Sequence, residues 1–427
     1  MKKYLIKQDR FYYRKRLKVR STKACVVSKQ SEYEAIRNEV LSNFQKISRS
    51  PKNIRLRKQH TLNLNVGTDF SIFTNSEYVL SFIGDLTHRT LLKKISTINI
   101  DQSAMTKHDL TSEVLIAQAA LALKAEKASK DKKLIVEGIF PKNEDFSKLI
   151  KGIGIVDQIK SIRCHNRNVD NISVFKAKGK IEVGDSIQTG DRKLTAQENF
   201  ITHMNDSLNM IDRQLTDSAE NKLLEIIGEL IGNAEDHSDS IEAHWQFYGF
   251  TDKNSKGEVF QQISIFNFGT SISDSIEKSL SKDIVNKRVE PYIKTHINEV
   301  PKEILFTVIA LQENISSKLD EQPDRGQGFT DLLQFFEEVA HECTNNEDNH
   351  VQMSLVSGAV SIYFDGTYLP KVDGDTGRHL IYFNESNSPI KKPDPTYVKK
   401  MTDISFPGTI ITIKYRLREE DYELRGV

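Results

Sequence analysis

The sequence predicts an α/β protein whose C-terminal half is a two-layer α/β sandwich. In the first half, apolar runs of strand length alternate with a helical run at 110–127, which indicates parallel strands joined by helices. In the second half, the segments 241–250 and 259–268 flank a polar turn and predict a β-hairpin. Further strand patterns follow a long helical stretch, so we expect helices on one side of a mixed sheet.

The chain opens with a basic region, residues 1–68. The whole protein has a formal net charge of +1, but residues 1–60 hold 18 Lys and Arg against 4 Asp and Glu, and the rest is acidic. Tyr12 and Tyr13 stand beside a run of three cations in this arm. Cations can follow a phosphate backbone while aromatic rings stack on bases, so nucleic acid is one predicted partner. A protein partner, or docking on the acidic body of the same chain, is the alternative.

Residues 69–165 form the predicted middle domain. The segments 78–84, 96–101 and 132–138 have the apolar composition of strands, the last of them a buried one. The run 110–127 has helical spacing, and a short helix is expected over residues 146–150. Residues 166–195 are polar and contain three glycines, which predicts a linker or a short hairpin.

Residues 196–427 form the predicted C-terminal domain. A helix is expected at about 196–215, and Ser218 is a plausible N-cap for a second helix that ends at Asp236. The hairpin follows, and then a long helical stretch at about 273–318. The last part returns to strands at 351–358, 359–364, 379–383 and 409–417.

Composition argues against a membrane or secreted protein. The chain has no run of eighteen apolar residues, and its charged N-terminus lacks the apolar core of a signal peptide. The three cysteines are odd in number and far apart, which argues against a disulfide framework, and their surroundings lack the spacing of a zinc site. We therefore expect a cytoplasmic protein.

The segment ELIGNAEDHS carries the strongest chemical signal. On a helix, Glu229 and Asn233 are four residues apart and share a face. The side-chain carbonyl of Asn can bind Mg²⁺, and a carboxylate one turn away can orient a water that attacks a γ-phosphate. Asp236 closes the same segment and is included among the candidate nucleotide-binding residues.

Three later segments extend this pattern. Asn267 and Gly269 follow the second hairpin strand. The sequence Asp-Arg-Gly-Gln-Gly at 324–328 opens a helical run, so backbone N–H groups at Gly326 and Gly328 could approach phosphate oxygens, with Arg325 as a cationic partner. A Pro-Gly-Thr sequence ending at Thr409 precedes the last long strand.

In this order, the four segments resemble the boxes of the GHKL ATPase superfamily of gyrase, the ninety-kilodalton heat-shock chaperone, MutL and the histidine kinases. The resemblance implies a Bergerat-type ATP-binding fold, Mg²⁺ coordination by Asn233 and a general-base role for Glu229. It places Asn267 where the family has an Asp that accepts a hydrogen bond from the adenine amine. The carbonyl of Asn267 can accept that bond, but its amide can also donate, which weakens the preference for adenine over guanine. Thr409 corresponds to the Thr of the Gly-Thr box.

The middle domain has a fainter resemblance to STAS domains of anti-sigma-factor antagonists. In that family a turn before the helix carries a phosphorylatable hydroxyl. Here the turn has the sequence Asp109-Leu110-Thr111-Ser112, which breaks the motif and makes phosphorylation doubtful. A generic α/β domain remains the alternative.

Three functions follow as hypotheses. The first is an ATP-binding protein that acts as a slow ATPase or a nucleotide-gated switch, with a possible homodimer. The second is a protein kinase of the histidine-kinase or anti-sigma serine-kinase branch, for which His203 is the one candidate phosphoacceptor in the helix before Asn233. The third is a nucleic-acid-binding protein in which ATP is an allosteric ligand.

Overall fold

The protein is a mixed α/β structure. A computed structural model describes residues 40–48, 60–92, 94–153, 174–179, 189–238, 245–253, 257–315, 328–341, 351–374 and 376–424. Most of the predicted basic arm, at 1–39 and 49–59, lies outside the described residues, as do residues 166–173 and 180–188 of the predicted linker. Within the described ranges, no helix is long and apolar enough to cross a membrane.

The helices and strands are numbered separately in chain order. The α-helices α1 to α10 of the described residues are Ser42–Lys46, Ile72–Leu91, Leu110–Ala128, Glu144–Ile153, Thr189–Asn209, Asp217–Asp236, Ile272–Ser279, Asp283–His296, Lys302–Ala310 and Gly328–His341. The strands β1 to β16 are Thr61–Asn65, Asp69–Phe70, Thr97–Asp101, Lys107–His108, Ile135–Ile139, Val174–Lys178, Arg213–Leu215, Trp245–Lys253, Val259–Phe268, Val351–Gly358, Val360–Phe364, Lys371–Val372, His379–Leu380, Val398–Lys400, Phe406–Arg416 and Tyr422–Leu424.

A seven-stranded sheet organises the C-terminal half. Its strand order is β14-β11-β10-β15-β9-β8-β6, and every neighbouring pair is antiparallel. The prediction of a mixed sheet is therefore wrong, because this sheet is antiparallel throughout the described strands. On one face, Ile263 and Ile265 of β9 join the same core cluster as Ile227 and Leu230 of α6. This face carries the C-terminal helices.

The second face of this sheet is covered too. Phe266 and Phe268 of β9 belong to a second core cluster, together with residues of α2 and α3. The Thr111 hydroxyl of α3 donates to Ser264 Oγ at 2.8 Å, and the Ser76 hydroxyl of α2 donates to Ser361 Oγ at 2.8 Å. The expectation of helices on one side only is therefore wrong, because β9 is apolar on both faces, as a central strand between two layers must be.

The middle part of the chain supplies those covering helices and a small parallel sheet. Its strand order is β1-β3-β5, with α2 and α3 as the crossovers. The layers thus run from the parallel sheet, through α2 and α3, to the seven-stranded sheet and its C-terminal helices. The predicted helix at 110–127 and strand at 96–101 are confirmed as α3 and β3.

Two sequence interpretations of the middle part are wrong. Residues 78–84 belong to α2, in which Val79, Phe82, Ile83 and Leu86 are buried at helical spacing. A short apolar run fits a strand and a buried helix equally, and here the helix is twenty residues long with Ser71 as its N-cap. The strand at 132–138 forms as β5 but at an exposed sheet edge rather than in the core.

The element boundaries of the C-terminal part also shift. Residues 174–178 of the predicted linker form β6, an edge strand of the large sheet, and α5 begins at residue 189 rather than 196. The N-cap of α6 is Thr216, not Ser218, since its side chain accepts from the Ala219 N–H. The helical stretch after 272 is three helices, the last beginning after Pro301. The hairpin of β8 and β9 is confirmed.

The turn that resembles the STAS phosphorylation site is inaccessible. Thr111 and Ser112 are fully buried where α3 meets the large sheet. Asp109 caps α3 by accepting from the Ser112 N–H at 2.8 Å, and it also accepts from the N–H of Ile72 at the start of α2. Burial raises the pKa of Asp109. These hydroxyls therefore serve packing, and a kinase could reach them only if α3 left the sheet.

Candidate functional site

A cleft lies between α6 and the first face of the large sheet. It is partly open to solvent, and the free space in it and at its mouth, solvent included, is about 330 Å³. Helix α6, strands β9 and β15 and the start of α10 supply its walls, through Leu230, Asn233, Ala234, His237, Ile265, Asn267, Ile272, Phe329, Thr409 and Ile411.

Helix α6 positions Asn233 by its apolar stripe. Leu223, Ile227, Leu230 and Ala234 are buried at helical spacing and fix the rotation of the helix on the sheet. Asn233 is half-buried between Leu230 and His237, at the edge of this stripe, and faces the cleft. The predicted placement of Asn233 on a site-facing helix surface therefore agrees with the geometry.

Strands β9 and β15 bring Asn267 and Thr409 side by side. The two residues are directly opposite in the antiparallel register, so their side chains lie on the same face. Trp245 of β8 is opposite Asn267 on its other side. Thr409 Oγ1 is 2.8 Å from Ser357 Oγ of β10, which fixes its hydroxyl. Segments 142 residues apart in the chain thus build one wall of the cleft.

Gly408 permits this close approach of β15 to β9. Its φ is +143°, a backbone conformation that side chains disfavour, and a Cβ at this position would overlap the carbonyl oxygen of Asn267. The close contact with Asn267 therefore explains why a glycine stands in the predicted Pro-Gly-Thr segment, beside two residues that line the cleft.

We expect Gly408→Ala to destabilise the protein by about 1–3 kcal/mol, because it forces a strained backbone and a steric clash beside Asn267. Chemical denaturation would measure the free energy of unfolding. Gly374→Ala is the matched control, since a Cβ there would meet nothing within 4 Å and its φ is not strained. Equal stability of the two variants would contradict the close-approach explanation.

Two amide side chains line the cleft, one on α6 and one on β9. The Nδ2 atoms of Asn233 and Asn267 are buried and find no hydrogen-bond partner among the described residues. Asn267 is only 2% exposed. A buried amide without a partner costs about 1–3 kcal/mol, and most of the surrounding side chains are apolar. A polar ligand in the cleft would remove this cost.

The start of α10 forms one end of the cleft. Phe329, the second residue of α10, lines the cavity, and Gly328 is the first residue of the helix. Arg325 and Gly326 lie outside the described residues. Helix N-termini attract anions because their first N–H groups have no partner within the helix. The predicted phosphate-binding position of Gly328 is therefore next to the cleft.

Acidic side chains gather beside α10 as well. Burial and the negative charges of Glu229, Glu225 and Glu313 raise the pKa of Asp331 in the first turn of α10. Glu229 is half-buried on α6, one turn before Asn233, and does not itself line the cavity. The predicted carboxylate is therefore near the start of α10.

Two further predicted residues do not line the cleft, and one polar lining residue was missed. Asp236 ends α6 and is not among the side chains that line the cleft, and Gly269 follows β9, where its N–H donates to the Pro407 carbonyl at 3.0 Å. His237 lines the cleft although sequence reasoning did not select it. The available signal was its spacing, because His237 is four residues after Asn233 on the same face.

Mg²⁺ would have few protein ligands here. In the described ranges, no group of three or more His, Cys, Asp or Glu side chains is placed to hold a metal. Mg²⁺ at nucleotide sites is held by one or two protein oxygens together with phosphates and water. The oxygen and nitrogen of an amide exchange places by a half-turn, so the buried end of Asn233 can present its carbonyl. These residues fit a Mg²⁺ ion that arrives with a triphosphate.

His203, the candidate phosphoacceptor, packs against aromatic rings. Its ring centroid lies 5.8 Å from that of Phe175 and 6.5 Å from that of Phe200. Burial lowers the pKa of His203 to about 4. The imidazole is therefore neutral at pH 7 and contributes to the core between α5 and the large sheet.

This environment predicts an acid-sensitive stability. The unfolded chain takes up a proton on His203 near pH 6.5, whereas the folded protein takes it up only near pH 4. Neutral His203 contributes its full share to the free energy of unfolding above pH 6.5. This share, up to about 3 kcal/mol, is lost as the pH falls towards 4. Denaturation at pH 7.5 and 4.5 should show a smaller acid loss in His203→Phe than in wild type. Exposed His60→Phe is the control, and an unchanged acid loss in His203→Phe would contradict the assignment.

Comparisons with protein-family models, with curated proteins and with solved structures gave no match. The functional argument is therefore based on the residues and on the geometry of the cleft.

Proposed function

We propose that the cleft binds Mg²⁺–ATP and that the protein is a slow ATPase or a nucleotide-gated switch with a GHKL-type, Bergerat-like C-terminal domain. The observation that carries this proposal is the pair of unpartnered amides of Asn233 and Asn267 at opposite walls of one cleft. The segments that contain Asn233 and Asn267 follow each other along the chain in the same order as the boxes that they resemble. An apolar cavity with a few convergent polar groups is the usual form of a ligand site.

Each end of the cleft suits a different part of the ligand. The buried amide of Asn267 and the apolar side chains Ile272 and Ile411 suit a flat base. Asn233 and the N-terminus of α10 suit the phosphates. The bound Mg²⁺ would supply charge neutralisation between phosphate oxygens. The ligand thus extends from β9 towards α10.

Hydrolysis is assigned to Glu229. Its carboxylate is one turn before Asn233 and close enough to Asp331 for their charges to interact. A carboxylate in this position can hold a water by accepting a hydrogen bond from it, and it takes the proton as the water oxygen attacks the terminal phosphate. The proton passes to Glu229 and the bond between the β- and γ-phosphate groups breaks. This assignment favours hydrolysis over transfer to a protein side chain.

A fluorescent ATP analogue tests the proposal. We expect saturable binding of one analogue per chain in the presence of Mg²⁺, displaced by unlabelled ATP. Incubation with γ-labelled ATP should then release free phosphate. Label on the protein instead of free phosphate would indicate the kinase alternative, and absence of binding would reject the proposed function.

A further inference from the structure

Asn267 is the most buried polar side chain of the cleft. It is 2% exposed, and its Nδ2 has no hydrogen-bond partner within the part of the chain that the structure describes. The nearby lining residues Ile265, Ile272 and Ile411 cannot satisfy it. A ligand that fills this end of the cleft can therefore satisfy the amide by bringing a hydrogen-bonding group.

The neighbours of Asn267 in the sheet form hydrogen bonds with other residues. Thr409, directly opposite on β15, has its hydroxyl 2.8 Å from Ser357 Oγ. Trp245, directly opposite on β8, donates its indole N–H to Glu235 at 2.8 Å. The two flanking side chains therefore hold their positions without the amide of Asn267, which is left to contact a ligand.

The chemistry of an amide differs from that of a carboxylate at this place. A carboxylate only accepts hydrogen bonds, so it matches the 6-amino group of adenine and repels the O6 atom of a 6-oxopurine. An amide both donates and accepts. It can accept from the 6-amino group and donate to N1 of adenine, or, after a half-turn, donate to O6 and accept from N1–H of a 6-oxopurine.

We propose that Asn267 makes the cleft a purine site that accepts 6-oxopurine nucleoside triphosphates as well as ATP. The inference rests on the proposed function and names the substrate class of the same site. It assigns the choice of base to Asn267, which stands where the superfamily that the sequence resembles has an Asp.

Competition with ATP, ITP and GTP tests the inference, with displacement of the fluorescent ATP analogue as the measurement. ITP differs from ATP only in the hydrogen-bonding groups at position 6 and N1, so it isolates the role of Asn267. In wild type we expect the affinities for ATP and ITP to agree within about tenfold. In Asn267→Asp, ITP should weaken relative to ATP by about 10–100-fold, the range of one bidentate base contact.

Asn63→Asp is the matched control, because it makes the same change on an exposed strand of the parallel sheet. Its ATP-to-ITP ratio should equal that of wild type. If wild type binds ATP but binds ITP more than about 100-fold more weakly, the inference is overturned while the proposed function stands. If wild type binds no nucleotide, the proposed function itself fails. The wild-type ratio decides the inference even if Asn267→Asp does not fold.

Discussion

Glu229→Gln is expected to bind Mg²⁺–ATP as tightly as wild type and to lose phosphate release by a factor of about 10²–10⁴. The amide keeps the size of the side chain and its place on α6, one turn before Asn233, but it cannot take a proton from the attacking water. Steady-state phosphate release and analogue binding, measured on the same preparation, separate the two effects. The expected result is a lower kcat with little change in Kd.

Glu225→Gln is the control for this prediction. Glu225 is exposed one turn earlier on α6 and is also close enough to influence Asp331. The two variants remove the same charge from the same neighbourhood, so a general electrostatic effect would change both. Equal activity of Glu229→Gln and wild type would reject the general-base assignment.

Asn233→Ala is expected to weaken Mg²⁺-dependent ATP binding by at least about 100-fold. The change removes the only polar side chain that α6 itself presents to the described cleft before its C-cap at His237. Loss of a charge-assisted contact to metal or phosphate costs about 1.5–3 kcal/mol, and loss of the metal adds to this. Titration of the fluorescent analogue with and without Mg²⁺ measures the effect.

The fold should be kept and the stability should not fall, because the buried Nδ2 of Asn233 has no partner within the described ranges and its removal relieves the cost of an unpartnered amide. Asn221→Ala, at an exposed position on the same helix, is the control for helix propensity. Its binding should equal that of wild type. Full Mg²⁺-dependent binding by Asn233→Ala would remove this residue from the site.

Local patterns were sufficient for the elements whose periodicity is unambiguous. Helix α3 has helical spacing without breakers, and the hairpin of β8 and β9 has two apolar strands around a polar turn. Residues 78–84 were misread because their apolar run fits both element types. What covers a sheet face is a long-range property, so α2 and α3 could not be placed on the second face from their own patterns. Phe266 and Phe268, beside Ile263 and Ile265, were the available sign that both faces of β9 are buried.

The order of the sequence motifs predicted part of the cleft lining. Asn233, Asn267 and Thr409 were selected from three separate segments, and the structure brings all three to one cleft. His237 was missed although it lies four residues after Asn233, and Asp236 was selected although it does not line the cleft. The direction of a side chain at the last turn of a helix depends on packing that the sequence does not show.

The most direct test of the account is a structure of the full chain with Mg²⁺ and a non-hydrolysable ATP analogue. The account predicts the base between Ile272 and Ile411 with its edge at Asn267, and the metal beside Asn233. An analogue bound elsewhere on the protein, or an empty cleft at saturating analogue, would contradict it.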